Sequence, residues 1–479
     1  MDGQGAAEIL GWRRHYWCKQ KHISLMEKPY WNRAPGDDKL TFEQPATYNN
    51  FTEPLQQIAA PVKRLSYPLV PSSLRGKKKA TTTINKFTMK GLSKVTVILF
   101  LLIGFAWTNS VGQGKISSSE RDRLWKVINP FFIPGKGYQN KYSFFRSPLK
   151  FYNGEPVKTE KDWTRRRKEI LDKWNSMMGN WPPFIKDQQP EFLDTVRRDG
   201  FTQYKIRFSW LPGEKTEGYL LIPAGGGKKP AVITVYYEPE TAIGWGKADN
   251  PNRDFAFQLA KRDFITLSIG TTAATKDKTY GLYHPNIDNA EVQPLSMLGY
   301  AAANAWYVLS KIQGVDSSRI GIMGHSYGGK WSMFASCLFD KFACAVWSDA
   351  GIVFDNTRTD INYWEPWYLG YHPRPWRERG LITEQNPARG LYPKLVKEGY
   401  DLHELHALMA PRPFLVSGGA EDTPKQWLAL NHTIAVNKLL GYKNRVAMTN
   451  RPAHAPTPES NAQAYAFLEY FLKYDRKSN

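Results

Sequence analysis

The chain has 479 residues, 42% of them hydrophobic and 14% aromatic, which is enough to build a substantial core and excludes an intrinsically disordered protein. Its formal net charge is +21, but the charge is spread along the chain, since residues 1–112 carry 16 Lys and Arg against 7 Asp and Glu. Because no nucleic-acid-binding motif accompanies the basic residues, we expect a solvated basic surface and no nucleic-acid partner.

Residues 89–112 have the layout of a secretory signal peptide. Lysines precede an apolar run over Val95–Trp107, and small polar residues follow it. The run is shorter than the about 20 residues of a transmembrane helix, so we expect a secreted or periplasmic protein with no stable membrane insertion after cleavage; an uncleaved anchor is the alternative. Because a signal peptide stands at an N-terminus, Met89 is the expected start. Residues 1–88 would then be a non-native or disordered extension, unless they form a cytosolic basic extension before an anchor.

Residues 113–200 are charged and aromatic, and we expect them to form an N-terminal helical cap region over the core. A helix is predicted over residues 163–174. Strand-forming residues then cluster over 204–210 and 216–223 around a Pro-Gly turn, which predicts an antiparallel hairpin. The second domain, residues 201–479, therefore opens with this hairpin.

After the hairpin, strands and helices alternate, which indicates an α/β fold with a mostly parallel central sheet flanked by helices. The strand over 231–237 is a continuous β-branched run, typical of a strand that is buried on both faces. The further predicted strands cover 264–269, 317–323, 343–348, 412–418 and 445–449, and the predicted helices cover 255–262, 295–312, 330–339 and 462–474.

A long insertion over residues 355–400 interrupts this alternation and is rich in aromatic residues. A loop of this kind over the carboxyl edge of a sheet is commonly a lid or a substrate wall. We therefore expect Trp364 and Trp367 to bind substrate by stacking on sugar rings. The alternative is that these rings simply bury against the body of the protein.

The cysteines indicate neither a metal site nor a disulfide framework. The chain has three of them, and their spacing is not that of a zinc site. Cys337 and Cys344 lie in apolar segments, which favours two buried thiols over a disulfide bond.

The sequence Gly324-His325-Ser326-Tyr327-Gly328 stands between a predicted strand and a predicted helix. In this context the pattern is typical of a nucleophile elbow, a strained turn that exposes a serine hydroxyl. The two glycines allow the strand and the helix to pack so closely that a Cβ atom would clash. We therefore predict that Ser326 is a catalytic nucleophile; the alternative is a glycine-rich turn with an idle serine.

A serine nucleophile needs an imidazole that takes its proton and a carboxylate that orients the imidazole. His454 is the best candidate base, because it lies in a loop after the last strand. Asp422 follows the penultimate strand and Asp349 follows the strand after the elbow helix; Asp422 is favoured, with Glu421 a distant third. Structural roles are expected for four rival histidines, which are His325, His403, His406 and His432.

Acyl transfer also needs hydrogen-bond donors for the tetrahedral oxyanion. The backbone N–H of Tyr327 is expected to be one donor, because it directly follows the nucleophile. The second is expected from the turn after the strand over 231–237, near Glu238.

These residues resemble the branch of the α/β-hydrolase superfamily that contains glucuronoyl esterases and acetyl xylan esterase-like bacterial hydrolases, related to dienelactone hydrolases. The resemblance covers about residues 205–475 and rests on the segments Arg319–Lys330, Ser348–Gly351, Asp401–Leu405 and Ala410–Pro413. It implies the α/β-hydrolase fold, with an N-terminal helical cap and a lid-like insertion in this chain.

The resemblance also suggests roles for single residues. Lys330 resembles the substrate-contacting lysine of glucuronoyl esterases, whereas Tyr327 stands where that family commonly has arginine. Asp349 and Asp422 match the two positions at which members of the family carry their acid, so the choice between them stays open.

The sequence therefore predicts a secreted serine hydrolase that cleaves carboxylic esters of polysaccharide substituents, acetyl or glucuronoyl esters, and needs no cofactor. Its partner would be a polysaccharide or a small ester substrate. One alternative is a hydrolase of the prolyl oligopeptidase or dienelactone hydrolase type that acts on another ester or on a peptide, although no propeller repeat is present. A non-catalytic carbohydrate-binding protein is the alternative from another class.

Overall fold

The computed structural model describes residues 118–245, 251–271, 282–361, 363–365 and 370–475. The extension and the signal peptide predicted over residues 1–112 lie outside this part of the chain. Within it, no helix combines the length and the apolar character that crossing a membrane requires.

Most strands belong to one large sheet. In chain order the strands are β1 (Glu191–Arg198), β2 (Phe201–Leu211), β3 (Glu214–Pro223), β4 (Lys229–Tyr236), β5 (Ile265–Gly270), β6 (His284–Pro285), β7 (Ala290–Val292), β8 (Val315–His325), β9 (Cys344–Ser348), β10 (Phe414–Gly418) and β11 (Val446–Asn450). The large sheet has the order β1-β2-β3-β5-β4-β8-β9-β10-β11, while β6 and β7 pair separately. From β5 to β11 its neighbours run parallel, and β1, β2, β3 and β5 pair antiparallel. The predicted mostly parallel sheet and its leading hairpin are confirmed.

Helices cover both faces of this sheet. In chain order they are α1 (118–128), α2 (Glu160–Met178), α3 (Pro239–Ala242), α4 (Phe255–Ala260), α5 (Pro294–Ser310), α6 (Tyr327–Leu338), α7 (Leu391–Lys397), α8 (His403–Ala407), α9 (Trp427–Leu439) and α10 (Pro458–Glu469). Successive side chains of a strand point to opposite faces. Accordingly, Ile233 of β4 joins the core formed with α2, α5 and α6, and Val232 joins the core formed with α1, α4 and α10. Cys337 and Cys344 are buried free thiols, as predicted.

The sequence did not indicate the edge strand β1. The region 113–200 was expected to be a helical cap, and α2 does pack Trp163, Ile170 and Trp174 into the larger core. Residues 191–198, however, extend the central sheet by pairing with β2. Most side chains of β1 are exposed, so no alternation of apolar and polar residues marks it as a strand.

The carboxyl edge of the sheet contains a point at which the strand order reverses. The chain passes from β4 to β5 on one side and then returns to β8 on the other side of β4. In open α/β sheets, ligands bind in the crevice that forms at such a switch point. Ser326 directly follows β8, so the fold places the predicted nucleophile there.

Candidate active site

Ser326 occupies a strained turn between β8 and α6. It has a positive φ of 58° and a ψ of −120°, a conformation that non-glycine residues adopt only where the surroundings enforce it. A Cβ atom on Gly324 would lie 2.2 Å from the carbonyl oxygen of Gly328, and one on Gly328 would lie 2.0 Å from that of Val235. The local geometry is therefore that of the predicted elbow.

His454 connects Ser326 to a buried carboxylate. Its Nε2 atom lies 2.8 Å from Oγ of Ser326, and its Nδ1 atom lies 2.6 Å from Oδ2 of Asp349. The imidazole is 36% exposed, whereas the Asp349 carboxylate is fully buried. These contacts form a continuous chain of hydrogen bonds from a carboxylate through an imidazole to a hydroxyl.

The carboxylate beside His454 belongs to Asp349 and not to Asp422, which the sequence analysis favoured. Asp422 is also fully buried, but its carboxylate accepts hydrogen bonds from the backbone N–H groups of Ala350 (2.7 Å), Gly351 (2.9 Å) and Ile352 (2.7 Å). Asp422 therefore braces the loop that carries Asp349, and it does not contact the imidazole.

The bracing is mutual. Oδ1 of Asp349 accepts hydrogen bonds from the backbone N–H groups of Glu421 (3.0 Å) and Asp422 (2.9 Å). Each of the two loops thus presents an aspartate to the amide groups of the other. Burial and, after it, the nearby charge of Asp349 raise the pKa of Asp422, while the amide donors oppose both effects; the net result is a pKa of about 6.

Lys330 lies beneath these loops. It is fully buried on α6, and its ammonium group donates a hydrogen bond to the carbonyl oxygen of Gly351. Burial lowers the pKa of Lys330 to about 8, and the charge of Asp422 opposes this shift. In this conformation Lys330 offers no surface to a dissolved ligand, in contrast to the substrate contact implied by the family resemblance.

Arg451 fixes the loop that carries His454, a role that the sequence analysis did not identify. Its guanidinium donates to the carbonyl oxygens of His454 (2.6 Å) and Ala455 (2.8 Å), and also to that of Ser417 (2.8 Å) in β10. The guanidinium therefore ties the histidine loop to the carboxyl end of a central strand. The guanidinium also donates to the hydroxyls of Ser417 (3.2 Å) and Ser348 (3.4 Å). A buried arginine whose partners are mostly carbonyl oxygens gives no sequence motif, so only the folded chain identifies it.

His325 packs its imidazole against that of His454, with ring centroids 4.7 Å apart. It is fully buried, and its Nδ1 lies 3.1 Å from Oγ of Ser348. Burial holds the pKa of His325 well below its ordinary value, and the neighbouring His454 lowers it further. The ring next to the elbow therefore stays uncharged at neutral pH.

Tyr363 is the second residue of the site that the sequence analysis missed. Its hydroxyl lies 2.8 Å from Oγ of Ser326, and the residue belongs to the predicted insertion 355–400. The abundance of aromatic residues in that insertion indicated a substrate wall, but no periodicity distinguished one tyrosine from the others.

The remaining predicted site residues lie in different surroundings. Tyr327 is the first residue of α6, and its ring stacks on Tyr237 with centroids 4.2 Å apart. Glu238 follows β4, directly before α3, with an exposed side chain. Trp364 is 5% exposed and packs near Phe334 and Phe354, so burial explains it better than sugar stacking does. Trp367 lies outside the described residues.

The chain is similar to known hydrolases in sequence and in fold. A model of the prolyl oligopeptidase family matches residues 302–474, a segment that contains Ser326, Asp349 and His454. In structure, the chain is similar to a glucuronoyl esterase from Solibacter usitatus, with a TM-score of 0.57, 17% identity, and coverage of 68% of this chain and 97% of that chain. The chain has the α/β-hydrolase fold. A promiscuous esterase of carbohydrate esterase family 15 from a marine bacterial metagenome gives a TM-score of 0.52 at 15% identity, covering 71% of this chain and 100% of that chain.

A curated relative supports the resemblance that the motifs indicated. The chain is 22% identical over 349 residues to the 4-O-methyl-glucuronoyl methylesterase of Podospora anserina. The alignment covers 68% of this chain and 67% of that protein. The predicted fold and the predicted resemblance to glucuronoyl esterases are therefore confirmed.

Proposed function

We propose that the protein is a serine esterase that cleaves carboxylic esters of polysaccharide substituents through a covalent acyl-enzyme. The observation that carries this proposal is the hydrogen-bonded chain from Asp349 through His454 to Ser326, at the switch point of an α/β-hydrolase sheet. The names of the similar proteins add the substrate class, which is an ester of a glucuronoyl group. A secreted or periplasmic location is part of the same proposal.

In the first half of the reaction, Oγ of Ser326 attacks the ester carbonyl carbon while Nε2 of His454 takes the hydroxyl proton. The tetrahedral intermediate collapses, the bond to the alcohol oxygen breaks, and His454 gives the proton to that oxygen. In the second half, water attacks the acyl-enzyme by the same route and releases the carboxylic acid and free Ser326. Asp349 keeps the proton of the imidazole on Nδ1 throughout, so Nε2 can accept.

The oxyanion needs fixed donors beside Ser326. Tyr327 is the first residue of α6, so its backbone N–H lies at the N-terminal end of the helix. The free amide groups at this end of a helix stabilise negative charge. We assign the first donor to this amide and a second donor to the backbone after β4, near Glu238. Removing one donor of this kind typically costs about 100-fold or more in turnover.

The decisive experiment compares the wild-type protein with Ser326→Ala on acetyl, methyl-glucuronoyl and feruloyl sugar esters, together with labelling by a fluorophosphonate. We expect hydrolysis of at least one ester and labelling at Ser326, and loss of both in the variant. Equal activity of the variant would rule out the mechanism. Failure of the wild-type serine to label would instead favour a carbohydrate-binding protein without catalysis.

A peptidase of prolyl oligopeptidase type is a second candidate, because that family model matches residues 302–474. It requires the same chain of Ser326, His454 and Asp349 and differs in the bond that is cleaved. Proline-containing peptide substrates in the same panel distinguish the two functions, and we expect ester cleavage to dominate.

A further inference from the structure

Tyr363 contacts the reacting oxygen of the proposed nucleophile. Its hydroxyl oxygen lies 2.8 Å from Oγ of Ser326, the same distance that separates this Oγ from Nε2 of His454. The tyrosine is 5% exposed, and its ring packs edge-on against that of Tyr327, with centroids 6.2 Å apart. The position of the hydroxyl is therefore fixed by packing as well as by its hydrogen bond.

Counting protons determines the direction of this hydrogen bond. A carboxylate can only accept, so Nδ1 of His454 carries the proton that it donates to Asp349. Neutral imidazole has a single N–H group, so Nε2 is an acceptor and takes the one proton of the Ser326 hydroxyl. Oγ then has only lone pairs to offer to Tyr363. The tyrosine hydroxyl is consequently the donor.

We propose that the Tyr363 hydroxyl is a catalytic donor that stabilises the oxyanion of the tetrahedral intermediate. The inference rests on the serine-esterase function proposed above. When Oγ bonds to the carbonyl carbon, the oxyanion forms on that same carbon, two bonds from the atom at which Tyr363 already points. A negatively charged oxygen is a much better acceptor than an ester oxygen, so the hydrogen bond moves from Oγ to the oxyanion. Tyr363 keeps its proton in this step.

A side-chain donor also fits the residue that follows the nucleophile. Tyr327 carries no charge, whereas the family that the chain resembles commonly has arginine at this position. Its ring instead forms the surface against which Tyr363 packs, so the amide of Tyr327 and the hydroxyl of Tyr363 converge on Ser326 from adjoining residues. The arrangement places a neutral, pre-oriented hydroxyl beside the nucleophile.

The test is the rate at which a fluorophosphonate labels Ser326, because the phosphoryl oxygen of the adduct occupies the position of the oxyanion. Tyr363→Phe keeps the ring and removes only the hydroxyl. Tyr371→Phe is the matched control, since its hydroxyl belongs to the same insertion but donates to the carbonyl of Asp288 at 3.3 Å. We expect labelling about 100-fold slower in the first variant and within about twofold of wild type in the control. Ester turnover should show the same loss in kcat with KM unchanged.

Each other outcome has a distinct meaning. Labelling of Tyr363→Phe at the wild-type rate would overturn the role of Tyr363 and leave the esterase intact. Faster labelling would also overturn it, because the hydroxyl would then be blocking Ser326. A wild-type protein that does not label at Ser326 would overturn both proposals. Melting temperatures of the two variants, which we expect to match that of the wild type, exclude loss of folding as the cause of a slow rate.

Discussion

Replacing each buried aspartate by asparagine gives the sharpest test of the arrangement around His454. In Asp349→Asn, the side-chain oxygen stays where Oδ1 now accepts from the amides of Glu421 (3.0 Å) and Asp422 (2.9 Å). The new NH2 group is then forced to face Nδ1 of His454, to which it donates. The imidazole must move its proton to Nε2, where it can no longer accept the proton of Ser326.

The expected loss is large because the wrong tautomer stops general-base catalysis. An asparagine at the orienting position of a serine triad lowers kcat about 10⁴-fold, which corresponds to about 5.5 kcal/mol at about 1.36 kcal/mol for each factor of ten. The hydrogen bonds of Oδ1 survive in this variant. We therefore expect its melting temperature to change little.

Asp422→Asn has the opposite profile. Both of its carboxylate oxygens accept from backbone N–H groups, so an NH2 group on either side faces another donor. Oδ2 accepts from two amide groups and Oδ1 from one, so the NH2 group is least costly at the Oδ1 position. One buried donor then loses its partner, which costs about 1–3 kcal/mol of stability. The contact between Asp349 and His454 remains, so turnover should fall by no more than about 100-fold, even if the whole perturbation reaches the barrier.

The assay is kcat/KM on an ester that the wild type cleaves, measured with the thermal unfolding of each variant. The reasoning holds if Asp349→Asn is inactive and stable while Asp422→Asn is active and less stable. A larger activity loss in Asp422→Asn than in Asp349→Asn would refute it, because Asp422 would then be the group that orients the imidazole.

Three further predictions concern packing, charge and loop position. Gly328→Ala puts a Cβ atom 2.0 Å from a backbone oxygen of β4, so the free energy of unfolding should fall by at least about 3 kcal/mol. In the control Gly226→Ala the new Cβ atom meets nothing within 4 Å, so the free energy of unfolding should change by less than about 0.5 kcal/mol. Equal melting temperatures of the two variants would contradict this prediction. Burial raises the pKa of Glu421 to about 7 from 4.5, so the folded state binds the proton more tightly and the free energy of unfolding falls as the pH rises between these values. Chemical denaturation at pH 5 and pH 7.5 should show a smaller fall in Glu421→Gln, and an unchanged fall would argue against it. Arg451→Met leaves the carbonyl oxygens of the His454 loop without their donor, so kcat should fall. The free energy of unfolding, measured by chemical denaturation, should fall by about 2–3 kcal/mol. A variant with normal kcat would show that the loop holds its position without Arg451.

The sequence was most informative where local pattern decides the structure. Continuous apolar strands such as β4 and β10 bury both faces, so composition alone marks them. The elbow is equally local, because its two glycines are required by the closeness of backbone atoms around Ser326. His454 could be chosen because it is the one histidine in the sequence after the last strand, and the fold brings that loop to the edge at which β8 ends.

Contacts between parts of the chain that are distant in sequence could not be predicted from local sequence patterns. The edge strand β1 is exposed, so no apolar periodicity revealed it. Tyr363 reaches Ser326 from an insertion without repeating pattern, and Arg451 contacts mainly backbone oxygens, including those of the distant strand β10. In each case the relevant partner is defined by the packing of the folded chain and not by neighbouring residues. Lys330 shows the same limit, because a matching motif position did not indicate that its side chain is buried.

The choice between the two aspartates was undecidable from the sequence for a specific physical reason. Strands β9 and β10 are parallel neighbours in which Ser348 pairs with Ser417, so the loops that follow them leave the sheet at the same level. Both loops can therefore bring a carboxylate to the same junction. The difference lies in the backbone, since Asp349 has a positive φ of 48°, which costs energy in a residue with a Cβ atom and persists only where the surroundings hold it. The amide groups of the β10 loop hold it, and so the conformation that lets Asp349 face His454 depends on the loop that carries Asp422.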